Sequence, residues 1–227
     1  MKKACSLLAV GILILLLPAC HHVEQRAEVL FINASYNAPT LDFYLQGNKA
    51  QGLISFATNS NTHQAEKLKT TEPFTCEVKE SYGGSTVFSL SNPGWVDKGR
   101  YTLFLYGDYA LKQYDWVTDT FTAPSAGKLK VRFMNLGPDA PAVDVFFNAV
   151  QVADSLLYYG IDKTHAVGSF IEIPAGSYSI TVNNHNGGAN LLTLPPIQFQ
   201  DKRVLDVYTC GLLTSSATPF QLGFAAH

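Results

Sequence analysis

Residues 37–45 read NAPTLDFYL and residues 139–147 read DAPAVDVFF. In each, an Ala-Pro pair precedes a short run, Leu41-Asp42-Phe43-Tyr44-Leu45 and Val143-Asp144-Val145-Phe146-Phe147. Leu41, Phe43 and Leu45, like Val143, Val145 and Phe147, recur with a period of two, which places them on one face of a β-strand. Pro39 and Pro141 stand just before the run, where a missing N–H is tolerated. The stretch is therefore a strand with its lead-in turn, and the chain contains it twice.

The repetition is global. At a shift of 102 residues Val29, Phe31 and Asn33 fall on Val131, Phe133 and Asn135, Asp42 on Asp144, and Thr62-His63 on Thr164-His165. After a two-residue insertion the match resumes at a shift of 104. Val78 then meets Val182, Gly83-Gly84 meets Gly187-Gly188, Asp97-Lys98 meets Asp201-Lys202, and Gly107 meets Gly211. Solenoid repeats run roughly 20–50 residues, so this longer period means a duplicated domain. Leu129, Val131 and Phe133 alternate with Lys128, Lys130 and Arg132, and YTLFLY (101–106) and VLDVYT (204–209) are rich in β-formers. Paired glycines supply turns between strands, and no helical stripe of four turns appears. These patterns predict an all-β protein of two tandem Ig-like β-sandwich modules, 27–123 and 127–227, of about six to eight strands each. The boundary falls at Pro124-Ser125-Ala126-Gly127. ALKQYDWVTDTFTA (110–123) reads as the closing strand of the first copy and PFQLGFA (219–225) as its counterpart. A connection this short predicts modules in contact.

In VRFMNLGPDAPAVDVFFN, IPAGSYSITV and DKRVLDVYTCG the second copy resembles the bacterial domain-of-unknown-function family 4397. The first copy resembles it more loosely, through LFINASYNAPTLDFYL and GRYTLFLYGD. The resemblance implies exported β-sandwich domains and brings no site residues with it. The chain departs from the pattern at Ala149, where an Asn-Gly turn is expected, and in lacking a Pro-Ala-Gly turn in the first copy.

The 227 residues carry a formal net charge of -2, with 47% hydrophobic and 15% charged residues. That composition allows a packed core and offers no basic field for nucleic acid. Met1-Lys2-Lys3 followed by SLLAVGILILLL (6–17) is a secretory signal, too short to span a bilayer as a helix. It ends in Leu17-Pro18-Ala19-Cys20, which resembles a bacterial lipobox. Residues 1–19 are thus read as a lipoprotein signal peptide, Cys20 as the acylated (palmitate-bearing) anchor, and 20–26 as a tether. His21 after the anchor suits outer-membrane sorting in a Gram-negative cell. Without Lys2 and Lys3 the exported chain is more acidic, so the lipid, rather than charge, holds it to the membrane.

Candidate chemistry is sparse. H-E-x-x-H, G-x-S-x-G, P-loop and G-x-G-x-x-G motifs do not occur, so no enzyme, cofactor or metal site is expected. Asp42 and Asp144 either bind a cation or polar ligand or accept N–H bonds from the preceding Pro-containing turn, and their repetition favours the second. His63 and His165 lack a ligand at metal-binding spacing and read as loop histidines. Cys76 and Cys210 align with Ile180 and Tyr106, so a disulfide between them would have to bridge the copies. Tyr114 and Trp116 share a face of the closing strand. They either pack inward or, exposed, stack on sugars or anchor a protein partner. The expectation is a non-catalytic, membrane-anchored envelope protein that binds or scaffolds another envelope component, with carbohydrate binding as the alternative.

Overall fold

A computed structural model describes residues 25–61, 63–68, 73–164 and 167–227. The signal segment, Cys20, Thr62 and His165 lie outside the described residues. The first copy contributes β1 (Gln25–Tyr36), β2 (Leu41–Leu45), β3 (Asn48–Ile54), β4 (Thr58–Asn59), β5 (Gln64–Leu68), β6 (Thr75–Glu80), β7 (Thr86–Ser91), β8 (Arg100–Asp108) and β9 (Gln113–Thr118). The second contributes β10 (Lys128–Asn135), β11 (Val143–Phe147), β12 (Val150–Leu156), β13 (Ile171–Pro174), β14 (Gly176–Asn184), β15 (Asn190–Phe199), β16 (Val204–Cys210) and β17 (Gln221–Ala226). Each copy is a two-sheet sandwich. Its first sheet has the order β4-β1-β8-β9, with β5 also on β1, or β13-β10-β16-β17. Its second has the order β3-β2-β6-β7 or β12-β11-β14-β15. The pairs β1/β8 and β10/β16 are parallel, and the other strand pairings are antiparallel. Among the described residues the helical structure is one 3-10 turn, Tyr109–Leu111.

The repeated aspartates explain a repeated distortion. Leu53 and Ser155 have φ of 59° and 51°, a left-handed backbone that non-glycine residues adopt only at a cost. The irregularities in the β2/β3 and β11/β12 registers fall beside them. Asp42 Oδ1 accepts the Leu53 N–H at 3.1 Å, and Asp144 Oδ1 accepts the Ser155 N–H at 2.8 Å. The carboxylate thus holds a bulge in the strand that follows, not the Pro-containing turn before it as the sequence suggested. Lys49 and Ser81 Oγ also donate to Asp42. Burial would raise the Asp42 pKa, but these donors together hold it below the ordinary carboxylate value.

Three apolar cores result. Phe31, Phe43, Phe74 and Tyr101 lie in that of the first sandwich, and Phe133, Val145, Phe147 and Val207 in that of the second. The third forms where the β1-β8 sheet packs against the β10-β16 sheet, and includes Leu30, Ile32, Phe104, Met134, Tyr159 and Tyr208. The central strands are therefore buried on both faces, which is why Tyr101–Gly107 is an unbroken buried run. Full burial of each large apolar side chain contributes about 1.5–3 kcal/mol, so the seam joins the copies firmly.

Candidate functional site

The seam contains a polar cluster, and strand periodicity puts it there. On β10, Leu129, Val131 and Phe133 enter their own sandwich core, which turns Arg132 towards the other copy. Thr102 on β8 and Asp206 on β16 alternate with core residues in the same way. Asp119 follows β9, His63 precedes β5, and His227 follows β17.

Arg132 Nε donates to Asp206 Oδ1 and Nη2 to Asp206 Oδ2, both at 2.7 Å, and Nη2 also donates to Asp119 Oδ1 at 2.7 Å. Thr102 Oγ1 donates to Asp119 Oδ2 at 2.9 Å. His63 Nε2 lies 3.4 Å from Asp119 Oδ2, and His227 Nδ1 lies 3.6 Å from the same oxygen and 3.4 Å from His63 Nε2. The other His227 nitrogen, Nε2, is 3.2 Å from Asp206 Oδ2 but out of line for a hydrogen bond. The Asp119, Asp206 and His227 side chains are wholly buried, and those of Arg132 and His63 nearly so. Phe170 covers the guanidinium at 4.5 Å, and Phe121 and Phe170 both meet the His227 ring edge-on.

Burial acts to raise the Asp206 pKa, but the Arg132 charge, with the contacts of His227 and Arg132, overrides it and lowers the pKa to about 2. One guanidinium thus faces two buried carboxylates, with two imidazoles beside them. Sequence spacing set His63 aside because its partners are remote in sequence. A signal was nevertheless present: Arg132 and Asp206 are charged where the aligned Leu30 and Thr102 are not.

Tyr114 and Trp116 are half-buried and pack against the first core. Trp116 stacks on Tyr101 at 4.5 Å and meets Phe74 edge-on at 6.0 Å, and Tyr114 stacks on Phe88 at 4.0 Å. Their counterparts by strand pairing, Leu222 and Phe224, pack against the second core. Tyr106, Tyr158 and Tyr159 belong to the seam, where Tyr159 donates to Asp115 at 3.0 Å. Cys76 and Cys210 are free and buried in different cores. Burial pushes the Cys210 thiol up to about 12, and the Cys76 thiol also upwards, so neither is a ready nucleophile. Asp144, Asp154 and His185 converge at the surface, where His185 Nδ1 lies 2.9 Å from Asp144 Oδ1 and supports the bulge carboxylate.

The sequence profile described as Domain of unknown function (DUF4397) matches residues 27–146, the first copy and the opening two strands of the second. No curated protein matches the chain. Among solved structures, the crystal structure of CBMbc (family CBM26) from Eubacterium rectale Amy13K in complex with maltoheptaose is similar over 89% of this chain and 97% of that one. The identity is 9% and the TM-score 0.27, too low to carry an argument about ligand or mechanism.

Proposed function

The chain belongs to the DUF4397 family, and from that premise we propose that it is a non-catalytic, lipid-anchored envelope protein whose fused sandwiches present one loop end to another envelope component. The anchor in this reading is Cys20 of the lipobox-like Leu17-Pro18-Ala19-Cys20, acylated and seated in the membrane, the outer membrane in a Gram-negative cell.

The observation that carries the reading is the distribution of exposed apolar side chains. β1 leads away from the anchor for twelve residues, about 40 Å at strand rise. At its far end Tyr36 leads into β2, and Leu41 there pairs with Ile54 and Glu80. The β6–β7 and β8–β9 turns lie at this end, because Glu80 pairs with Leu41 and Asp108 with Tyr36. The β16–β17 loop joins them, because Leu213 donates to Asp139, whose charge acts on Tyr36. Among the described residues, four of the seven exposed large apolar side chains lie at this end: Leu53, Tyr82 (78% exposed), Leu111 (67%) and Leu213 (38%), the others being Val96, Val150 and Ile161. Soluble surfaces scatter such residues singly, whereas several at one end of a molecule suit a contact surface.

The test pairs partner capture with variants. The full chain in detergent is presented with envelope extract and with isolated polysaccharides, beside Tyr82→Ser/Leu111→Ser. Capture of a defined protein that is lost in the double variant supports the reading. Capture of a polysaccharide instead selects carbohydrate binding, the alternative. Capture indifferent to the substitutions overturns the loop-end surface. Separately, Cys20→Ala should leave the membrane fraction, and retention there would refute the anchor.

A further inference from the structure

We propose that His63, Asp119 and His227 form a binding site for one divalent transition-metal ion, zinc in the first instance, that staples the two sandwich modules across their seam. The donor atoms His63 Nε2, Asp119 Oδ2 and His227 Nδ1 form a nearly equilateral triangle with sides of 3.4, 3.4 and 3.6 Å. A tetrahedral zinc ion with bonds of about 2.0–2.1 Å holds its donors about 3.3–3.5 Å apart. The three atoms therefore already stand at ligand spacing, on one face of an ion whose fourth position would take water.

The surroundings have what a metal site needs behind its ligands. Asp119 is fixed by Arg132 on Oδ1 and by Thr102 on Oδ2. His227, when it binds through Nδ1, carries its proton on Nε2, which is buried, lacks a hydrogen-bond partner and lies 3.2 Å from Asp206 Oδ2. A carboxylate behind the second ring nitrogen is the usual means of fixing the tautomer and orientation of a metal-bound histidine. Metal bonding would turn this near-contact into a directed one. Charge points the same way, because a single guanidinium faces two buried carboxylates, and an added cation offsets an excess of acidic groups that burial makes costly. The phenyl rings of Phe121 and Phe170 exclude water on the His227 side, while the slight exposure of His63 leaves a way in.

The ligands come from both copies. His63 and Asp119 belong to the first and His227 to the second, so bound metal would oppose separation of the modules. Imidazole and carboxylate donors, with no thiolate, select zinc, cobalt or nickel over calcium or magnesium.

The experiment uses the full chain in detergent, free of any polyhistidine tag, stripped with chelator and titrated with zinc. His21→Ala/His22→Ala is present throughout to remove the adjacent histidine pair near the anchor. One equivalent of zinc per chain is expected, with a rise in melting temperature reversed by chelator. Cobalt should give the intense visible absorption of a tetrahedral site. His63→Gln and His227→Gln should each weaken uptake at least a hundredfold, whereas His185→Gln should leave it unchanged. If the unsubstituted triad takes up no zinc, or if uptake survives both glutamine variants, the site does not exist. Each metal-free variant should show the melting transition of the metal-free unsubstituted chain to within a few degrees. Where a glutamine variant does not fold, the tetrahedral cobalt spectrum of the unsubstituted chain decides, its absence overturning the site.

Discussion

Asp119 and His227 occupy the same position in the two copies and meet across the seam. Each immediately follows its copy's closing strand, and each donates its backbone N–H to an equivalent carbonyl, Arg100 at 2.8 Å for Asp119 and Val204 at 2.9 Å for His227. Their side chains nevertheless approach to 3.6 Å. Thr102 and Asp206 are also equivalent, and they too face each other, at 3.4 Å. Equivalent positions touching their own counterparts is the rule of a two-fold interface. The copies thus pack as an isologous dimer would, within one chain. Because both halves are on one chain, mutation has differentiated them: Leu30 against Arg132, Thr102 against Asp206, Asp119 against His227.

Arg132 is the hub of that differentiation, since among the described residues it is the one guanidinium or ammonium group paired with both buried carboxylates. Arg132→Met keeps volume but leaves both charges unpaired, which costs about 3–5 kcal/mol for a buried pair broken from one side. Urea denaturation should show that loss. The triple change Arg132→Met/Asp119→Leu/Asp206→Leu should recover most of it, because replacing the charges with apolar groups removes the desolvation penalty. A triple variant as unstable as Arg132→Met would refute this ionic account.

The depressed Asp206 pKa predicts an acid-labile seam. Its folded value, about 2, lies below the unfolded carboxylate value of about 3.9. Unfolding therefore takes up a proton between those values. The associated stability is complete above pH about 4 and is lost as pH falls towards 2. Its size is on the order of 2 kcal/mol. Denaturation midpoints measured down this range should fall, and Asp206→Asn, less stable at neutral pH, should show a shallower decline.

What could be read from the residues alone was whatever has a short period or a copy. Alternation in 41–45 and 143–147 marks β2 and β11, and the doubled glycines mark turns in which Gly83 and Gly187 have φ of 113° and 100°. The seam was harder to read. The runs Tyr101–Tyr106 and Val204–Thr209 put large apolar side chains on both faces, Thr102 and Asp206 being polar exceptions, which announces double burial but not the neighbour. Arg132 alternates with core residues just as Lys128 and Lys130 do, so its pattern alone reads as a solvated face. It is buried because the second copy's sheet packs on the first, and long-range packing leaves no period in a sequence. The metal-spaced triad is hidden for the same reason, with its members 56 and 164 residues from His63.

Trp116 tests the role of the closing strand. It stacks on Tyr101 and meets Phe74, and Tyr101 is almost fully buried. Trp116→Ala opens a cavity against the first core and should cost about 3 kcal/mol. Trp116→Phe, which matches the Phe224 of the second copy, should cost less than half as much. A neutral Trp116→Ala would mean that the indole contributes nothing to packing and is free to serve a ligand.

Ala149 occupies a position that its backbone disfavours. Phe147 pairs with Val150, so Asn148-Ala149 is a two-residue hairpin turn, and its φ values are 48° and 65°. Positive φ at both positions is the type I′ pattern, which favours Asn-Gly. Asn148 suits its place: its side chain accepts from Ser179 N at 2.9 Å and donates to Ser177 O at 3.0 Å. Ala149 instead puts a Cβ where the left-handed backbone crowds it. The first copy has Gly47 at the equivalent place, with φ of 76°. Ala149→Gly should therefore stabilise the chain by about 0.5–1 kcal/mol, strain relief exceeding the entropy glycine adds to the unfolded state. Gly47→Ala should destabilise it by a similar amount. Both should shift the denaturant midpoint with the slope unchanged, as expected when the strain is local and the buried surface constant. If Ala149→Gly is neutral while Gly47→Ala is costly, the Asn148 hydrogen bonds already offset the alanine strain, and the second copy's departure from Asn-Gly is compensated within the turn itself.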